Sequence, residues 1–124
     1  MSDPVVEGVK DDELKLKWHL LPWRPLEEVV GVLMYGAEKY GENNWRAVKG
    51  SHHRYFNAAI RHLTPLVRGQ SHDPETGFHH LAHAICCLLF MLAPATEGRE
   101  FDYNYLRRAI ETARRLKEER EAGK

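Results

Sequence analysis

Cysteine is nearly missing from this chain of 124 residues: there are two, the neighbours Cys86 and Cys87. Adjacent side chains on a helix point about 100° apart, which disfavours a disulfide between them, and reduced, buried thiols suit a reducing compartment. Excess charge of one sign is missing too. Lys plus Arg and Asp plus Glu each total 18, for a formal net charge of zero. Bulk electrostatics therefore predicts no nucleic-acid polymer and no membrane as a partner. The longest apolar run, residues 84–94, is too short to span a bilayer, and the N-terminus has no basic-then-apolar leader. The expected location is the cytoplasm. No glycine-rich phosphate loop, CxxC, GxSxG or HExxH occurs, so nucleophilic serine or cysteine chemistry has no positive support.

What is present fits one ordinary globular domain, with 43% hydrophobic and 29% charged residues. Residues 1–13 read as a loose polar arm, and 14–23 as extended chain laid on the domain, because Pro22 and Pro25 interrupt regular structure. A first helix is expected from near Pro25 to Gly41, with Leu26, Val29, Val30, Leu33, Ala37 and Tyr40 on its core face. A second is expected over 52–68, with Ser51 as N-cap, core residues Phe56, Ala59, Leu63, Leu66 and Val67, and a kink or early end at Pro65. A third runs from about Phe78 to Leu92 with Pro94 beyond it. A fourth follows Asp102, fraying after Glu118, with Tyr105, Leu106, Ala109, Ile110, Ala113 and Leu116 along one side. The predicted fold is all-α, a four-helix, bundle-like single domain with an extended N-terminal arm, a core over 14–94 and a last helix over 102–121.

The third helix is the most informative element. Phe78, Leu81, Ile85, Leu88, Leu89 and Leu92 cluster on one side, and His79, His80, His83 and Cys87 on the other. Histidines three and four residues apart can converge on one cation or one phosphate, although a solvated polar face shows the same pattern. Just before them, Asp73 and Glu75 sit on a tight loop and can join such a centre. Ordinary turn and capping chemistry uses the same residue types.

Weaker signals surround this one. Glu28 and Lys39 are nearly eclipsed on the first helix, with Tyr35 between them, and can serve a metal and a phosphate or be plain surface charges. Arg54, Arg61 and Arg68 repeat every seven residues on the second helix, as a polyphosphate stripe or a solvated face would. His62 stands beside the apolar stripe of that helix, either as a core-edge histidine or as a fourth imidazole of the site. The loop with Asn43, Asn44, Trp45 and Arg46 offers amides that can read a base edge, an indole that can stack on its face and a guanidinium.

Taken together, LEEV at 26–29, GAEKYG at 36–41, NWR at 44–46, AIRHL at 59–63 and DPETGFHHLAHA at 73–84 resemble the phage-associated dATP/dGTP diphosphohydrolase N-terminal domain family. The resemblance covers roughly residues 18–92. It implies hydrolysis of a purine deoxynucleoside triphosphate to monophosphate and pyrophosphate, an activity shared by MazG-like all-α pyrophosphohydrolases that hold Mg²⁺ on carboxylates. Their ExxE and ExxD pairs have no counterpart at Glu27 and Glu28, which have Val30 and Gly31 three residues on. No ExxD occurs, and His80 and His83 have the spacing of the second pair.

On this reading Glu28, Asp73, Glu75, His80 and His83 hold a divalent ion, Mg²⁺ first and Mn²⁺, Co²⁺ or Zn²⁺ as options. Glu28, Asp73, Glu75 and His83 also serve the activation of water. Lys39, Arg46, Arg54, Arg61 and His62 contact the nucleotide, with Asn44 and Trp45 facing the base, and a homo-oligomer is expected. If phage-encoded, the protein would act in the host cytoplasm. The alternative readings are a non-catalytic nucleotide- or metal-binding module or accessory subunit, and a helical assembly protein.

Overall fold

The computed structural model describes residues 14–123, so the predicted arm over 1–13 lies outside the described residues. Four α-helices form: α1 (Trp23–Tyr40), α2 (Ser51–Val67), α3 (His80–Thr96) and α4 (Tyr103–Ala122). The all-α expectation holds, and none of the described residues belongs to a strand beyond a single antiparallel bridge between His72 and His79. None of these helices is long and apolar enough to cross a membrane. The described residues fall into two compact units, 19–100 with α1 to α3, and 14–18 with 101–123, which carries α4.

Several boundaries differ from the sequence reading. Residues Trp18–Leu20 form a 3-10 turn within the stretch expected to be extended. Helix α1 starts at Trp23, so Pro25 sits in its first turn, where a missing N–H costs nothing. Gly50 in left-handed conformation, not Ser51, precedes α2, and no side chain caps that end. Pro65 and Pro94 both lie inside the last turn of their helices. The turn simply runs past each proline, and after Pro65 the backbone closes when Arg68 N and Gln70 N donate to the Pro65 carbonyl. In α4, Asp102 caps as expected, accepting from Asn104 N and Tyr105 N, while the helix continues to Ala122 without early fraying.

The main correction concerns which way the helices face. On α3 the buried residues are His80, Ala82, Ala84, Cys86 and Cys87, whereas Leu81, Ile85, Leu88, Leu89 and Leu92 are exposed. The leucine stripe taken for the core face therefore points outward, and the histidine side points in. The cause is size. Ala82 and Cys86 let α3 lie close to Val29 and Val32 of α1, with Leu33, Phe78 and Phe90 closing around them. The Cys86 thiol reaches the Val29 carbonyl, and burial pushes that thiol up to about 12. On the other side, α3 packs on α2, where Ala59 is buried, Tyr55, His62 and Leu66 are half-buried, and the expected core residues Phe56, Leu63 and Val67 are exposed. Val30 and Tyr40 of α1 are likewise exposed rather than in the core.

Gly31 shows how close this packing is. A Cβ there would stand 2.7 Å from Cε1 and Cζ of Phe78, whereas one on Gly36, also in α1, would meet nothing. Alanine normally stabilises a helix interior over glycine by about 0.5–1 kcal/mol. Gly36→Ala should show that gain in a urea melt. Gly31→Ala should instead lower the midpoint, with a net loss of about 1–3 kcal/mol as the Phe78 ring is displaced.

Candidate functional site

The segment between α2 and α3 is built as a small closed loop. Asp73 N donates to the Phe78 carbonyl, Gly77 N to the Asp73 carbonyl and His80 N to the Ser71 carbonyl, each at 2.8 Å. The turn needs a positive φ, supplied by Gly77 at +80°. Inside it the Asp73 carboxylate accepts from both the backbone N–H (3.0 Å) and the hydroxyl (3.1 Å) of Thr76. Burial works to raise the Asp73 carboxyl, but the Thr76 bonds and the nearby histidines outweigh it and hold it below its ordinary value. The carboxylate is thus charged and fixed in direction.

Around it stand three imidazoles from two helices. His80, at the first turn of α3 and 5% exposed, and His62 on α2 bring their Nδ1 atoms to 3.0 Å from each other. Ligand atoms of His62, Asp73 and His80 all lie within 4.8 Å of one another, a convergence able to hold a metal ion. His83 stacks on His62 with ring centroids 4.5 Å apart and planes 6° apart, and its Nε2 contacts the Thr76 hydroxyl at 2.7 Å. Burial lowers the pKa of both His62 and His83; neighbouring imidazoles add to this, and Asp73 opposes it. Both rings therefore favour the neutral form, the one that can donate a lone pair to a metal.

The other expected site residues divide into two groups. Glu75 stays on the same loop, but its carboxylate accepts from Lys39 Nζ at 2.8 Å and from the Tyr35 hydroxyl. Those bonds lower its pKa and raise that of Lys39. Glu28 is not among the converging groups; its carboxylate accepts from Arg24 on the exposed side of α1. Arg54 and Arg61 are exposed on α2 without an ion-pair partner among the described residues. Thr76, which the sequence did not single out, links Asp73 to His83. The D-x-x-T spacing was the available signal.

Asn44, Trp45 and Arg46 belong to a different place. A cavity of about 600 Å³ opens between α1, the 42–45 segment and the C-terminal half of α3, lined by residues including Gly36, Tyr40, Asn44, Trp45 and Phe90. Trp45 is stacked on Phe90, with centroids 4.6 Å apart, and the Arg46 guanidinium lies over the same indole at 4.1 Å. The indole is therefore in contact with both an aromatic ring and a cation. Arg46 is in turn tied to Glu97 through two hydrogen bonds. Phe90 is ten residues beyond His80, about 15 Å of helix rise, so this cavity and the histidine cluster occupy different stretches of α3.

Replacing Thr76 with valine keeps the shape and removes the hydroxyl shared by Asp73, His83 and the Phe78 backbone N–H. The expected loss is about 1–3 kcal/mol in a urea titration. A midpoint equal to wild type would mean that water replaces the hydroxyl without cost.

Comparison with known proteins adds to this geometry. The chain is 42% identical over 84 residues to a protein of Salmonella phage PMBT28 named dATP/dGTP diphosphohydrolase, an alignment covering 68% of this chain and 28% of that relative. The matched part of this chain therefore spans a little over a quarter of the relative's length. No solved structure matches it. The family model described as dATP/dGTP diphosphohydrolase, N-terminal, matches residues 6–104, which include the whole histidine and aspartate cluster, and the chain belongs to that family.

Proposed function

We propose that this domain takes part in metal-dependent hydrolysis of a purine deoxynucleoside triphosphate, dATP or dGTP, to the monophosphate and pyrophosphate. The observation that carries the reading is the convergence of His62, Asp73 and His80 from three separate segments inside the family-matched region. The phage relative's name supplies the substrate class. In the reaction, water adds across the anhydride between the α- and β-phosphates, a proton is released, and the two products together carry more negative charge than the substrate did. A divalent ion at the cluster would supply Lewis acidity and charge neutralisation there.

The chain's own side chains have matching work. Asp73, fixed by Thr76, would accept a proton from water at the cluster, with His83 on the same hydroxyl supporting that arrangement. Arg54 and Arg61, which have no ion-pair partner among the described residues, are cations available to a polyphosphate, and Lys39 can join them by exchanging Glu75 for a phosphate oxygen. Asn44 lines the 600 Å³ cavity with its amide available to a base edge, whereas Trp45 contributes a wall already engaged by Phe90 and Arg46.

Pyrophosphate release should be measured for each deoxynucleotide with Mg²⁺, Mn²⁺, Co²⁺ or Zn²⁺. The expected result is turnover confined to purine substrates, lost in Asp73→Asn and reduced about 10- to 100-fold in Thr76→Val. Tight nucleotide binding without turnover would replace this reading with an accessory, non-catalytic module.

We also infer that the domain self-associates. Helix α3 carries no Asp, Glu, Lys or Arg, and the side of it away from His80 and His83 is apolar, as a helix face covered by protein is. Its exposed Leu81, Ile85, Leu88 and Leu92 lie in one stripe, and Phe56, Ile60, Leu63 and Val67 form another on α2. Stripes of this composition are what an interface core is made of, and an uncharged face suits a second copy of itself. Light scattering should find a dimer or larger species, converted to monomer by Leu88→Glu. A wild-type monomer would refute the inference.

A further inference from the structure

The identity of the ion can be argued from the donors alone. Two of the three converging ligand atoms are imidazole nitrogens and the third is a carboxylate oxygen. Magnesium takes oxygen ligands in an octahedron and gives up its waters reluctantly. Zinc, cobalt and nickel accept imidazole readily, and zinc sites with three protein ligands keep an open position for water or substrate.

We propose that His62, His80 and Asp73 form a binding site for a nitrogen-preferring divalent transition ion of the zinc class, not for magnesium. The proposal rests on the hydrolase reading for its purpose and on the geometry for its existence. With metal–nitrogen bonds of about 2.0–2.1 Å and angles of 90–109°, two ligand nitrogens stand roughly 2.8–3.4 Å apart. The two Nδ1 atoms stand 3.0 Å apart, within that range before any ion is bound.

Their supports come from separate elements, so no one segment has to fold around the ion. His80 is buried in the α3 seam, His62 is held flat against His83, and Asp73 is held by two bonds from Thr76. Thr76 and His83 act as positioning residues, in the way outer hydrogen bonds orient metal ligands elsewhere. The neighbouring acids do not compete, because Glu75 is engaged by Lys39 and Tyr35, and Glu28 by Arg24. The structural alternative is a simple N–H···N bond between two imidazoles, with no ion.

The 124-residue chain, stripped with chelator, should be titrated with ZnCl₂, CoCl₂ and MgCl₂ by calorimetry, and the cobalt form followed by its visible absorption. One equivalent of Zn²⁺ or Co²⁺ per chain is expected, with Mg²⁺ binding weaker by orders of magnitude. His62→Gln and Asp73→Asn, both at half-buried positions and checked for folding by circular dichroism, should each weaken Zn²⁺ binding about 100-fold or more. Thr76→Val should weaken it about 10-fold. His53→Gln and His72→Gln, which alter exposed imidazoles outside the cluster, should leave it unchanged. Stoichiometric Zn²⁺ binding without deoxynucleotide turnover would support the site and remove the hydrolase reading. Turnover with Mg²⁺ that survives His62→Gln would do the reverse. Zn²⁺ affinity unmoved by His62→Gln, or no binding at all, would overturn the site.

Discussion

The close approach of α3 to two helices at once is the constraint on which the 19–100 unit depends. It is possible because the inward side of α3 is made of small residues, Ala82 and Cys86 toward α1 and Ala84 and Cys87 on the rest of its buried surface. Larger side chains at these positions would hold the helices apart. Gly31 extends the same logic to α1, where the Phe78 ring lies so near that even a methyl group collides. Close packing of this kind costs little side-chain entropy, since alanine has no side-chain freedom to lose. It also decides which polar groups are buried, because whatever shares the small-residue side is carried inward with it.

His80 is carried inward in this way. It lies on the small-residue side at the first turn of α3, and α2 meets that side with His62. The loop over 71–79 then fixes the third component. Its backbone bonds close a compact turn, and Thr76 spends its N–H and hydroxyl on Asp73. A buried polar cluster is costly unless each member finds a partner, and no buried side-chain nitrogen or oxygen among the described residues lacks one. The cluster is consequently part of what holds α2, the loop and α3 in register, as well as a place where chemistry can occur.

The number and order of helices were legible because the punctuation is local. Gly41 ends α1 by donating to the Ala37 carbonyl, and Asp102 caps α4, both from residue types that act within one turn. The region around Asp73, His80 and His83 was legible as a place for the same reason: polar residues of these types are dense there. The facing of α3 was not. Periodicity separates a buried side from a wet one only when the two differ in polarity, and α3 has no charged residue to mark a wet side. Volume decided instead, with alanines and cysteines preferred over leucines for the tight seam. The partners of Trp45 were equally invisible, since Phe90 is 45 residues away and Arg46 carries no label for lying over its neighbour's ring.

The packing also accounts for the kind of donor found at the cluster. A carboxylate at position 80, where only 5% of the residue is exposed, would lose most of its hydration and either demand a cation or take up a proton. An imidazole does not have to carry a charge to bond, and at this position its Nδ1 has the His62 ring as partner. It therefore fits a seam that must close whether or not an ion is present. The charged donor, Asp73, comes from the loop, where it is less deeply buried and Thr76 can compensate its charge. An all-α domain that closes on small residues in this way can place nitrogen in the helix seam and oxygen at its rim. For the proposed metal site, this division would favour a mixed-donor ion over one that requires oxygen alone.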